Sequence, residues 1–193
     1  MTEKGGDISS PFFILYLLVL IISKMKKLMI MLFLYSGVAV SQETNTQTKW
    51  FTITGEVKKE SVITIDSLNT FPIKDIGDIK VTDHTGTFKH QDDKLKGVLL
   101  KDILNHSQWT AASPKLFSRM YFTCVGIDGY KVVYSWNELF NTPVGDNVYI
   151  IMEKNGIKAD QQPAAIQMTS MLDFKTGRRY LHNLDKIVVS SVE

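Results

Sequence analysis

FTCVGIDGYKVVYSWNEL, residues 122–139, holds the end of one strand, a turn, a second strand and the start of a helix. Residues 119–125 (RMYFTCV) and 130–134 (YKVVY) are rich in β-branched and aromatic side chains, which suit a pleated, half-buried surface. Between them Gly126, Ile127, Asp128 and Gly129 supply the turn chemistry of a tight connection. Ser135 and Glu138 stand three apart, as the two halves of a capping box do, and open a short helix expected to end near Asn141.

Outward from this block the same alternation of brief strands and briefer helices continues. Residues 50–57 (WFTITGEV) alternate, with Phe51 and Ile53 on one face, and residues 62–65 continue the β character after a Lys-Lys-Glu turn. Asp66 to Phe71 predicts one helical turn capped by Asp66 and stopped at Pro72. A strand pair is expected over residues 78–83 and 86–90, and a helix over Lys96 to His106 (KGVLLKDILNH), where Val98, Leu99, Asp102, Ile103 and Leu104 form a stripe. Downstream, residues 147–153 run into Asn155-Gly156, the preferred pair of a type I′ hairpin, and residues 164–170 and 185–190 complete the strands. Short strands interleaved with few helices predict an α+β, β-rich mixed domain over residues 50–193.

The leading segment reads differently. Residues 11–23 and 28–40 are apolar runs of 13 residues each, separated by Lys24, Lys26 and Lys27. Each is shorter than the roughly 20 residues of a spanning helix. Residues 25–41 have the parts of a secretory signal: a basic start, an apolar stretch, and the small residues Ala39 and Ser41 before Gln42. Residues 1–24 are then expected to be an over-extended start, and residues 42–49 a disordered lead-in. The competing arrangement is a membrane-anchored helical hairpin. With only lysines in the leader, the expected route is the general secretory one, to the periplasm or the medium, with no permanent membrane anchor.

Composition narrows the function classes. The chain has 193 residues, 22 Lys plus Arg, 20 Asp plus Glu and one cysteine. The surplus of +2 resides in the leader, leaving 18 charges of each sign over residues 42–193, so no uniform positive field invites nucleic acid. One cysteine excludes an intramolecular disulfide and an all-cysteine metal site. No Gly-x-Gly-x-x-Gly, Gly-Lys-Ser/Thr, Gly-x-Ser-x-Gly or His-Glu-x-x-His motif occurs.

Taken in order, FTITGEV with VITIDSL, GVLLKDIL, FTCVGIDGYKVVYSWNEL, the Asn-Gly hairpin after VYIIME, and GRRYLHNLDKIVV resemble the oxidoreductase molybdopterin-binding domain. This is the sulfite-oxidase-like family, and the likeness is to its short exported bacterial members over residues 50–192. The resemblance implies the sulfite-oxidase-like fold. In the catalytic members a cysteine thiolate binds molybdenum from a Cys-x-Gly-Asn context at a strand end, a place matched by Cys124-Val125-Gly126-Ile127. Ile127 replaces the asparagine, and the chain holds only three arginines, Arg119, Arg178 and Arg179, for a cofactor that carries a phosphate.

The expectation is therefore a reduced, cofactor-free ligand-binding or accessory module for a small-molecule or anionic ligand. The alternative is a molybdenum–molybdopterin oxidoreductase. In it Cys124 ligates the metal, Lys131, Arg178 and Arg179 hold the pterin phosphate, Tyr130 contacts substrate, and a separate redox protein takes the electrons. Asp128 and Tyr130 line the expected ligand pocket beside Cys124, although Asp128-Gly129 also suits a plain hairpin turn. A lone cysteine in a β-rich run is equally a small buried hydrophobe. Arg178, Arg179 and His182 form a basic cluster that either holds an anion or guards a sheet edge. His84 and His90 flank Gly86 with Asp83, Asp92 and Asp93 nearby, in no established zinc spacing.

Overall fold

The computed structural model describes residues 15, 16, 18–26 and 47–193, and the chain divides into two units, Met1–Thr44 and Asn45–Glu193. In the first unit the described residues are helical, and no helix among the described residues is long and apolar enough to cross a membrane. The expected signal segment, residues 25 and 26 apart, lies outside the described residues.

The second unit is built from ten strands: β1 (Trp50–Gly55), β2 (Ser61–Thr64), β3 (Lys74–Thr82), β4 (Phe88–Leu99), β5 (Met120–Gly126), β6 (Lys131–Ser135), β7 (Val148–Lys154), β8 (Ile157–Lys158), β9 (Gln167–Ser170) and β10 (Leu184–Ser191). One sheet runs β2-β1-β10-β5-β6; the other runs β3-β4-β7-β8, with β9 also pairing with β7. β10 lies parallel to β1 and antiparallel to β5, which places the last strand in the middle of the first sheet. The main core joins the sheets: Phe51, Ile53, Met120, Phe122, Cys124, Ile187 and Val189 of one sheet with Val98, Val148, Ile150 and Met168 of the other. A second cluster, Ile79, Val81, Leu95, Ile151 and Tyr180, lies apart from it.

Local chemistry explains where each element stops. Ser135 accepts from the Glu138 N–H at 3.1 Å while Glu138 accepts from the Ser135 N–H at 2.8 Å, so the expected capping box opens the helix Trp136–Phe140. Asn155 (φ 54°) and Gly156 (φ 76°) both adopt the left-handed region that a type I′ hairpin requires. Four boundaries differ from expectation. The helix Ile65–Leu68 is capped by Thr64 rather than Asp66, because the Thr64 hydroxyl accepts from the Ser67 N–H and Ser67 answers to the Thr64 N–H. Lys96 to Leu99 belong to β4, paired to β7 from Lys96↔Glu153 to Leu99↔Tyr149, and only Leu100–Asn105 is helical. Burial drives this: Val98 and Leu99 are consecutive and both buried, which a strand covered on its two faces allows. β3 and β4 are also far longer than the expected pair, with register shifts at Gly77 and near Thr82. Finally, of the expected lead-in, Gln47 donates to the Gln162 carbonyl at 2.7 Å and Thr48 is buried, so these two residues lie on the domain.

Candidate functional site

Cys124 sits two residues inside the end of β5, paired with Ile187 of β10 on one side and Val132 of β6 on the other. Its side chain has no exposed surface, and burial pushes the thiol up to about 12. At neutral pH the group is a protonated, apolar filler. Beyond it the chain makes a compact turn: Gly126 N–H donates to the Tyr130 carbonyl and Gly129 N–H to the Gly126 carbonyl, both at 2.9 Å, with Gly129 at φ +82°. Asp128 accepts from the Tyr130 N–H at 2.9 Å, as an aspartate that braces its own turn does. The Tyr130 phenol donates to the Arg178 carbonyl at 2.7 Å, and Lys131 is exposed at the start of β6.

Arg178 and Arg179, neighbours in the 3₁₀ turn Thr176–Arg179, diverge. Arg178 is exposed. Arg179 forks onto Asp173, with Nε 2.7 Å from Oδ2 and a second nitrogen on Oδ1, and its third nitrogen lies 3.1 Å from Glu138. Its guanidinium also stacks 4.6 Å from the centre of the Tyr134 ring. The bond to Asp173 holds the guanidinium even more firmly in its charged form than usual. Tyr134, paired with Phe122 two residues along β5 from Cys124, has a buried hydroxyl without a partner and a phenol pushed upward mainly by burial. Thus Cys124, Tyr134 and Arg179 are brought into one region, whereas Asp128, Tyr130, Lys131 and Arg178 lie on its exposed margin.

A second polar cluster was not legible as such in the sequence. Buried Asp92 accepts from the Tyr180 phenol at 2.7 Å, and Lys154 Nζ and His90 Nε2 each stand 3.6 Å from the same carboxylate. Lys154 also donates to Gln167 at 3.0 Å, and Gln167 to Gln162 at 2.6 Å. His182 stacks on Tyr180 at 5.0 Å, and its pKa is lowered by desolvation first and by Lys154 second. His90 therefore finds Asp92, not His84; among the described residues, no group of His, Cys, Asp and Glu side chains has metal-holding geometry.

An open cleft lies elsewhere. A cleft of about 790 Å³ runs between the start of β1 with the helix Ile65–Leu68 and the β8 end with the 3₁₀ turn Ala159–Gln161. Its apolar lining is Trp50, Ile65, Ile73, Met152, Ala159 and Ala165, and Lys96 pairs with its cross-strand neighbour Glu153 at 3.2 Å. Lys49 and Asp66 on one wall, and Lys158 and Asp160 on the other, form no ion pair among the described residues. The size is that of a small-molecule site, with a few polar groups around an apolar lining. None of Cys124, Asp128, Tyr130, Lys131, Arg178 and Arg179 lines it.

No family model and no curated protein matches the chain. Among solved structures, the crystal structure of the sulfane dehydrogenase SoxCD from Paracoccus pantotrophus superposes with a TM-score of 0.54 at 15% sequence identity, covering 75% of this chain. The match takes in 39% of that dehydrogenase chain, so this chain is similar to well under half of it. At that identity the similarity is one of fold. The strand-rich α+β domain described above has the sulfite-oxidase-like architecture that the order of its sequence segments anticipates.

Proposed function

We propose that the folded unit is a reduced, cofactor-free ligand-binding or accessory module on a sulfite-oxidase-like scaffold, and that a small molecule occupies the cleft between Trp50 and Ala159. The observation that carries this reading is the setting of Cys124. Its thiol has no exposed surface on a strand flanked by its register partners Ile187 and Val132, where a metal ligand must be reachable by the metal.

The remaining candidates fit a pterin-held molybdenum no better. Arg179 spends its guanidinium on Asp173 and Glu138, and the Asp128 carboxylate is engaged by its own turn. Lys131 and Arg178 supply exposed charge without a pocket among the lining residues of the cleft. The cleft, by contrast, offers two cations and two carboxylates that form no ion pair among the described residues, around an apolar floor. We place the module in the periplasm or the medium on the strength of the Lys-led apolar run and the small residues before Gln42.

Metal analysis and the absorption spectrum of protein taken from its native host test the reading. The expected result is no stoichiometric molybdenum and no cofactor band. One molybdenum per chain, lost on Cys124→Ser, overturns it and makes the domain an oxidoreductase. An N-terminus at Gln42 in the exported fraction is expected; full-length protein retained in the cytoplasm overturns the export reading.

A further inference from the structure

One loop, Met171 to Lys175, presents apolar side chains to solvent in a way the core does not explain. Phe174 is 102% exposed and Leu172 52%, and between them Asp173 turns inward. Asp173 is gripped by Arg179 at 2.7 Å and by the Ser170 hydroxyl at 2.9 Å. The loop is braced on both sides of this grip: Met171 N–H donates to the Asn147 carbonyl at 2.9 Å, and the Thr176 hydroxyl donates to the Lys80 carbonyl at 2.7 Å. Gly177 presses against the Thr82 carbonyl, where a Cβ has no room. A protruding apolar pair on a braced loop is preorganised for docking, because little ordering entropy remains to be lost.

The charges around the tip are cationic. Lys175 follows Phe174, and Arg178 is exposed three residues on. Tyr130, 43% exposed, ties its phenol to the Arg178 carbonyl and is followed by Lys131. The nearby anions are engaged: Asp173 by Arg179, Asp128 by the Tyr130 N–H, and Asp83, which lies beside Gly177, by Lys89 at 3.4 Å. We infer that this tip docks the domain reversibly on an anionic lipid surface. Leu172 and Phe174 enter the interfacial layer, and Lys175, Arg178 and Lys131 lie over the headgroup phosphates. A convex tip whose aromatic ring stands clear of its own surface suits a fluid layer, which needs no complementary shape, and aromatic and cationic side chains together favour the membrane interface.

The test uses the full chain with Phe174→Cys, labelled with an environment-sensitive fluorophore; buried Cys124 stays unlabelled. The leader is common to all variants, so the label reports the tip alone. On vesicles of phosphatidylcholine with 30% phosphatidylglycerol, the emission is expected to shift to the blue and to be quenched by brominated lipid. Phosphatidylcholine alone, or 0.5 M salt, is expected to abolish most of the shift. Adding Lys175→Glu and Arg178→Glu is expected to weaken binding by about tenfold or more. A label that stays in water on every vesicle, even when the chain sediments with them, overturns the inference, as does an equal shift on neutral and anionic vesicles. A shift that grows with protein concentration in the absence of lipid also overturns it and assigns the tip to a second copy of the chain.

Discussion

The region around Cys124 and Arg179 and the cleft beside Trp50 use polar residues in opposite ways. In the first, the charged groups answer one another: Arg179 holds Asp173 and Glu138, Glu138 caps a helix, and the next residue, Tyr180, binds Asp92 beside Lys154. In the second, Lys49, Lys158, Asp66 and Asp160 surround an apolar floor and answer nothing among the described residues. Apart from the buried Tyr134 hydroxyl, which has no partner, the first network leaves its charged groups little capacity for a ligand; it fixes structure. An unsaturated rim contributes little to stability and keeps its donors and acceptors available. The comparison predicts that substitutions in the two regions separate cleanly, stability being lost in one and binding in the other.

The sharpest way to break the comparison is Asp92→Ala. It leaves the Tyr180 phenol and the largely buried Lys154 ammonium without their shared carboxylate, a loss of about 3 kcal/mol. Thermal unfolding is expected to fall by about 10 °C. A fall of under about 2 °C shows that the network is not structural. Arg179→Ala comes next, at about 2 kcal/mol because the clamp is partly exposed, and Arg179→Lys recovers less than half of it, since an ammonium cannot fork onto Asp173. Urea unfolding of the three proteins checks both steps.

Cys124→Ala is milder, about 1 kcal/mol for one buried sulfur atom. Its pH signature is the more telling measurement. The thiol ionises near 9.0 when free of the fold and at about 12 within it, so the folded state binds the proton more tightly. The contribution is complete below 9.0 and is lost as pH rises toward 12, and the alanine variant should lack that part of the decline. Native protein at pH 8 should also resist alkylation until urea unfolds it. Rapid labelling of the native state would return Cys124 to the list of functional groups.

How much of this was legible in advance depended on the distance over which each feature is encoded. The Ser135–Glu138 box and the Asn155-Gly156 hairpin are written within a few residues, and both stand as read. The β5–turn–β6 block was likewise local. The Lys96–His106 stripe misled because apolar neighbours satisfy a helix and a doubly covered strand alike, and pairing to β7, some 50 residues away, decides between them. Nothing near Asp92 announces Tyr180, 88 positions on. The cleft joins residues from Gln47 to Ala165, and no short motif encodes a concavity. Of the family-like site residues, Cys124 was placed correctly on its strand, but only packing reveals that it is sealed, and only the sheet geometry sends Arg179 inward while Arg178 stays out.

The smallest expected change in stability tests the other half of the comparison. Lys49→Glu with Lys158→Glu reverses two cations that lack ion-pair partners among the described residues, and should alter unfolding by less than about 0.5 kcal/mol. The same pair should weaken one-to-one binding of the anionic, amphipathic probe anilinonaphthalene sulfonate by about tenfold, because its rings suit the apolar floor near Trp50 and Met152 and its sulfonate suits the lysines. Arg179→Ala, in contrast, should leave probe affinity within about twofold while the protein loses stability. If the probe binds the reversed-charge protein as well as the native one, the cleft is not where anions are held. If Arg179→Ala removes probe binding from protein that is still folded, the ligand site lies at the clamp. The assignment of binding to the open rim and of stability to the sealed network would then have to be reversed.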